Sequence, residues 1–93
     1  MKIEYDENKR ITTLEARGLD MARSSTILDG PTLTVRDSRK DYGEERNISI
    51  GFLDDDMVVL VWTLRGDAHR IISMRQANER ERGFYAERFG LGP

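Results

Sequence analysis

The chain has 93 residues, 38% hydrophobic and 34% charged, enough apolar material for one small core under an ionic surface, so a single domain spanning 1–93 is expected. With no cysteine and one histidine it can build neither a disulfide framework nor a thiolate zinc site, and no metal or other cofactor is expected. A formal net charge of −2 disfavours long-range attraction to nucleic acid, but the charge is uneven: residues 1–64 carry 9 basic and 13 acidic side chains, whereas residues 65–93 carry 6 basic ones, all arginine, against 4 acidic.

Taken in chain order, Lys2 to Tyr5 predict a short strand, with Asp6 capping the helix that follows. Ile11 and Leu14 lie one turn apart on that helix, and Gly18 is placed to close it. Asp20 caps a second helix with Met21, Ile27 and Leu28 on its apolar face, stopped by Asp29-Gly30-Pro31. The period then becomes two, with Leu33 and Val35, a polar excursion from Arg36 to Glu45, and Ile48, Ile50 and Phe52. Asp54-Asp55-Asp56 predict a hairpin tip, and Met57 to Leu64 read as a central strand apolar on both faces.

Arg65-Gly66-Asp67 turns the chain into a last strand ending near Met74. Ser73 and Gln76 have capping-box spacing for a final helix reaching about Phe89, with Ala77 and Phe84 towards the core and Gly83 as a weak point. The tail Gly90 to Pro93 is expected to fray. The order β-α-α-β-β-β-β-α predicts an α+β fold: one antiparallel sheet packed with an N-terminal helical hairpin and a C-terminal helix. The longest apolar stretch is too short to cross a membrane and the first residues lack an apolar signal core, so no membrane partner and a cytoplasmic location are expected.

The candidate chemistry lies in the arginine-rich third. Arg70 and Arg75 flank the predicted strand-to-helix junction, where helix amides would reinforce an anion site. Glu81 and Tyr85, one helical turn apart, offer a carboxylate and a phenol for moving a proton. The same residues also suit ordinary ion pairs and a core rim, and the residues alone leave both readings open. His69 adjoins Arg70 and should face the other side of the strand, while Trp62 fits core packing better than base stacking. No glycine-rich phosphate loop, nucleophile elbow or metal-binding carboxylate cluster is present, and the three aspartates at the hairpin tip read as solvated polarity.

Tyr5-Asp6 with Lys9, Gly18-Leu19, Asp37 followed by KDYGEER, Gly51, the strand VVLVWT, and RIISMRQA with Glu81 and Tyr85 together resemble the BrnT family of bacterial toxins over nearly the whole chain. The resemblance implies a fold like that of RelE-type ribonucleases and a metal-independent endoribonuclease that blocks translation. It also implies a BrnA-type antitoxin as partner, with promoter DNA bound only by the toxin-antitoxin complex. Arg46, Arg70, Arg75, Glu81 and Tyr85 fall on matching motif positions. Arg70, Arg75, Glu81 and Tyr85 are accordingly expected to be catalytic, and Arg46, Arg82 and Arg17 to bind RNA. Where the family commonly shows Asn and then Lys-His-Gly, this chain has Thr13 and Ala16-Arg17-Gly18. Arginine supplies charge but is a poor proton shuttle at neutral pH, so a weakened or inactive protein acting as a binding module is the alternative reading.

Overall fold

The computed structural model describes residues 1–91. Strand β1 (Lys2–Glu4) leads into α1 (Glu7–Arg17), which starts where the extended Asp6 accepts the Lys9 amide at 3.0 Å and ends at Gly18, left-handed at φ 70°. Asp20 likewise accepts the Ala22 amide and opens a 3₁₀ turn, Met21–Arg23, that runs on into α2 (Ser24–Asp29). Arg10 ties the first turn of α1 to the second cap, with Nε donating to Asp20 at 2.8 Å and Nη1 donating to Glu7 at 2.6 Å. Only Thr13 of α1 is buried; Ile11 and Leu14, the apolar pair seen in the sequence, are exposed.

The remaining strands are β2 (Leu33–Arg36), β3 (Asn47–Leu53), β4 (Asp56–Arg65) and β5 (Ala68–Gln76). They form a sheet of order β1-β5-β4-β3-β2. The pairs β2–β3, β3–β4 and β4–β5 are antiparallel, as expected, but β1 joins β5 in parallel, so the sheet is mixed. The helical segments between β1 and β2 separate those strands, and β1 pairs at the far edge with β5 rather than with its sequence neighbour. Asp54 and Asp55 have φ of 50° and 69°, so the tight β3–β4 connection adopts the twist-matched backbone that asparagine, aspartate and glycine tolerate best.

Apolar side chains cover both faces of the sheet. On one face Val58, Leu60, Ile71 and Met74 pack with Leu19, Met21 and Ile27 from the N-terminal helical region. On the other, Ile50, Met57, Val59 and Ala77 pack with Ile48, Phe52, Tyr85 and Phe89. The alternation of Val58 and Val59 between the two clusters is what an apolar central strand requires. Gly51 marks a close approach: a Cβ there would lie 2.8 Å from Ile27 Cγ2 and 3.0 Å from Thr32 Cγ2. Trp62 packs at the first cluster, and its indole donates to Ser49 Oγ at 2.8 Å.

The last helix begins later than its sequence spacing suggested. β5 keeps its pairing with β4 through Gln76, opposite Val58, so the Ser73–Gln76 segment is strand. The capping box is instead formed by Asn78, whose side chain accepts the Glu81 amide at 2.8 Å, and Glu81, whose carboxylate accepts the Asn78 amide at 2.9 Å. Helix α3 (Glu79–Arg88) is therefore turned relative to the expected phase: Tyr85 and Phe89 pack on the sheet, while Phe84 is 53% exposed beneath the Arg88 guanidinium. Of the tail expected to fray, Gly90 is left-handed and Leu91 donates its amide to Ala86, closing α3; residues 92–93 lie outside the described part.

Candidate nucleic-acid interface

The register of the sheet determines which side chains share a face. Ile48, Ile50, Met57 and Val59 belong to the cluster under α3, and residues paired across antiparallel strands point the same way. Arg75 pairs with Val59 and Arg70 pairs with Thr63, so both arginines stand on the α3 face. In an unbroken strand residues 70 and 75 would face opposite ways. A β-bulge at Val61/Trp62 inserts one extra residue into β5 and brings them to one side. His69 faces the other way, with its ring 4.7 Å from that of Trp62.

The same alternation builds a row across one end of this face. Arg36 pairs with Asn47, and the next residues continue the ladder with the Asp37 amide donating to the Arg46 carbonyl at 2.8 Å. Thr63 closes the row from β4 by donating its hydroxyl to the Glu45 carbonyl at 2.6 Å. Arg46, Thr63 and Arg70 thus follow one another across the sheet, with Glu4 beyond Arg70 accepting its Nη1 at 3.4 Å. Arg46 lies over the Tyr42 ring, 4.0 Å from its centroid, and donates to Glu44 at 3.4 Å.

Between this row and α3 the sheet is open. Val35, Ile48 and Val61 form the intervening row, with Val35 52% exposed and the other two half-buried. Tyr85 borders this floor from α3. The result is an apolar strip with Arg46 and Arg70 on one side and Arg75 on the other, about 13 Å apart along the strands at about 3.3 Å per residue. An apolar floor suits bases, and arginines at its margins suit phosphates.

At the α3 side Arg75 and Glu81 form a two-point ion pair, with Nη1 donating to Oε1 at 2.7 Å and Nη2 to Oε2 at 2.9 Å. The Arg75 guanidinium, helped by the Asn78 amide, lowers the Glu81 carboxyl to about 2, while burial opposes the shift. Both oxygens of Glu81 are therefore occupied and the group is ionised at neutral pH. Arg82 donates Nη1 to the Ala77 carbonyl at 2.7 Å, beside the same helix start. Arg17 approaches β5 from α1 instead, donating Nη1 to the Met74 carbonyl at 2.8 Å. It lines a cleft of about 370 Å³ with Lys9, Thr12, Thr13, Ala16 and Ser73.

Of the residues singled out in the sequence, Arg46, Arg70, Arg75, Glu81 and Tyr85 gather at the α3 face, with Arg82 at its border and Arg17 reaching in from α1. Arg70 and Arg75 do not flank a helix start, because both lie on β5. Sequence reasoning missed Arg39. Its Nε and Nη2 each donate to Asp37 at 2.9 Å, and Asp37 is almost fully buried at 5% exposure. Both lie in the polar excursion, whose aspartate carries no local sign of burial.

Residues 5–81 match a family described as the ribonuclease toxin, BrnT, of type II toxin-antitoxin systems. The chain belongs to this family. No curated protein is matched. BrnT membership supports a ribonuclease toxin with RNA targets and an antitoxin partner at the level of the family. The BrnT match takes in Arg17, Arg46, Arg70, Arg75 and Glu81 and stops short of Arg82 and Tyr85. Among the described residues no helix is long and apolar enough to cross a membrane, and no group of three or more His, Asp or Glu side chains is placed to hold a metal ion.

Proposed function

We propose that this BrnT-family protein is a metal-independent endoribonuclease that cleaves RNA laid across the open strip of the α3 face and thereby inhibits translation. The observation that carries the reading is the placement of Arg70 and Arg75 on one face by the bulge in β5, at the margins of an apolar floor. The ribose 2′-oxygen bonds to the adjacent phosphorus as the bond to the 5′-oxygen breaks, leaving a cyclic 2′,3′-phosphate and a 5′-hydroxyl. Arg70 and Arg75 stabilise the charge added to the phosphate, and Arg46 extends the cationic margin. Tyr85 gives a proton to the departing 5′-oxygen and is reprotonated from water, which also takes the proton of the 2′-hydroxyl. Glu81 orients Arg75, because a carboxylate with both oxygens engaged and so low a pKa is a weak base. Arg82 and Arg17 serve as outer phosphate contacts.

An antitoxin of the BrnA type neutralises this surface by covering it with acidic side chains, and the complex rather than the toxin alone binds promoter DNA. A second reading follows from Arg17, whose guanidinium is committed to the Met74 carbonyl where relatives commonly carry a histidine: a binding module with little turnover. Induced expression with and without the neighbouring gene separates them. Growth arrest with RNA cleavage, relieved by the neighbour, supports the ribonuclease; folded protein that binds RNA without cleaving it supports the module.

A further inference from the structure

The apolar floor of the α3 face does not stop at Val61. Ser73 is the β5 partner of Val61, so it continues the row Val35, Ile48, Val61 on the same side of the sheet. Four strands spaced about 4.8 Å apart give this row a reach of about 14 Å. Beyond Ser73 there is no further strand, because β1 pairs with β5 only from Ala68 to Arg70. Helix α1 packs against β5 at this point, where Arg17 donates to the Met74 carbonyl. Ser73 is also the residue through which β5 lines the cleft of about 370 Å³ shared with Lys9, Thr12, Thr13, Ala16 and Arg17. The floor therefore runs into the cleft.

The cleft differs in chemistry from the rest of the face. Arg46, Arg70 and Arg75 are each paired with a glutamate, whereas two cations and no carboxylate line the cleft. Neither Lys9 nor Arg17 enters an ion pair among the described residues. Arg17 is held in place by donating Nη1 to the Met74 carbonyl at 2.8 Å, which uses one of its five N–H groups and leaves the others for a ligand. Thr13 is a second, independent sign. Thr12 donates its hydroxyl back to the Asn8 carbonyl at 3.0 Å, but the hydroxyl of Thr13, a residue only 8% exposed, has no partner among the described residues. Buried polar groups are ordinarily paired, so an unpaired hydroxyl in the wall of a basic cleft points to a polar ligand.

We infer that the cleft between α1 and β5 is a subsite for one phosphodiester of single-stranded RNA, next along the strand from the phosphate that Arg70 and Arg75 stabilise. Lys9 brings a point charge and Arg17 a planar fork, and the Thr13 and Ser73 hydroxyls donate to the phosphate oxygens. The volume of the cleft falls within the range of small-ligand pockets, about 300–1,000 Å³. The subsite rests on the ribonuclease reading above and adds Lys9, Thr13 and Ser73 to the residues that hold the RNA. It anchors the strand at the β5 end of the floor, so that the scissile phosphate is set against the arginines rather than sliding along the row.

The test uses the full chain and a single-stranded 2′-O-methyl RNA oligonucleotide, which keeps the phosphates but lacks the attacking hydroxyl. Binding is followed by fluorescence anisotropy over a range of salt. Lys9→Ala should weaken binding on the order of tenfold, as expected for a charged hydrogen bond, and make the slope of log affinity against log salt shallower by about 0.7. The Lys9 backbone amide that Asp6 accepts is untouched by this change. Thr13→Val keeps the shape and the charge, so it should weaken binding by about threefold to tenfold with the slope unchanged. Should Thr13→Val fail to fold, Ser73→Ala gives the same answer from the other wall. Ala16→Glu, at an exposed helix position, brings a carboxylate into the cleft and should weaken binding at least as much as Lys9→Ala. Weakening in Lys9→Ala with wild-type affinity in the folded hydroxyl variants means general attraction alone and overturns the subsite. Wild-type affinity and slope in Lys9→Ala and Ala16→Glu, with Arg75→Ala impaired, also overturns it and leaves the ribonuclease reading standing. Wild-type protein that binds no RNA overturns both.

Discussion

Arg70 and Arg75 stand on the same face of β5 although an odd number of positions separates them, because the β-bulge opposite Val61/Trp62 places one extra β5 residue between them while their partners Thr63 and Val59 lie four positions apart. The irregularity lies in the strand that carries two of the arginines and beside the apolar row of Val35, Ile48 and Val61. Bulges commonly re-aim side chains in this way. Each arginine is also accompanied by an acid, Glu4 for Arg70 and Glu81 for Arg75, so the face holds its cations in place without a large net charge.

Arg75→Ala should abolish most RNA cleavage while leaving the fold intact. The side chain is 43% exposed and contributes to stability mainly through a half-exposed ion pair, so the loss should stay within about 1 kcal/mol. Cleavage of single-stranded RNA and thermal melting on the same preparation check both parts. Wild-type cleavage by the variant would move the phosphate site elsewhere.

The ion pair also predicts an acid-side signature. Glu81 has a folded pKa of about 2, below its ordinary value of 4.5, so it contributes stability that is fully present above the ordinary value and is lost as pH falls towards about 2. In Arg75→Ala the largest cause of the shift is gone and only the Asn78 amide remains to lower it, so the Glu81 carboxyl should titrate closer to 4.5. The fall in stability over that acid window should flatten accordingly. Carboxyl NMR titration of both proteins measures it; an unmoved Glu81 would mean that the helix cap, not Arg75, governs its charge.

Two glycines should respond in opposite directions to alanine. Gly83 is a helical residue in α3, and the position a Cβ would take there has no neighbouring atom within 4 Å, so Gly83→Ala should stabilise by about 0.5–1 kcal/mol. Gly51→Ala would push a methyl against Ile27 and Thr32 and should cost about 1–3 kcal/mol. Chemical denaturation of the two variants gives both signs.

Local signals announced most of the fold. Asp6 and Gly18 bound α1, the aspartates at the β3–β4 tip make the turn, and the alternation of Ile48, Ile50 and Phe52 places them together under α3. What failed were features decided at a distance. Ser73 and Gln76 have the spacing of a capping box, but their segment pairs with β4, and Asn78 with Glu81 forms the box instead. The parallel pairing of β1 with β5 and the bulge depend on register, which no single strand reveals. Arg70, Arg75 and Glu81 were legible as types of residue; that both oxygens of Glu81 are bound by Arg75 required the packed structure.

RNA cleavage should survive removal of divalent ions. The face gathers arginines and a tyrosine, and its carboxylates Glu4, Asp37 and Glu81 are each engaged by an arginine, so their oxygens serve as ion-pair acceptors rather than as a cluster open to a hard cation. Charge added to the phosphate is balanced by guanidinium groups, which need no metal to be cationic at any working pH. The measurement is cleavage of an unstructured single-stranded RNA with and without EDTA, so that chelation does not alter the substrate. Glu81→Gln belongs in the same assay: it keeps a side chain able to cap α3 but removes the charge that steadies Arg75, and should slow cleavage less than Arg75→Ala does. Activity lost with chelator and restored by one divalent ion would sink the metal-free reading; equal loss in Glu81→Gln and Arg75→Ala would give the carboxylate a larger part than orienting its partner.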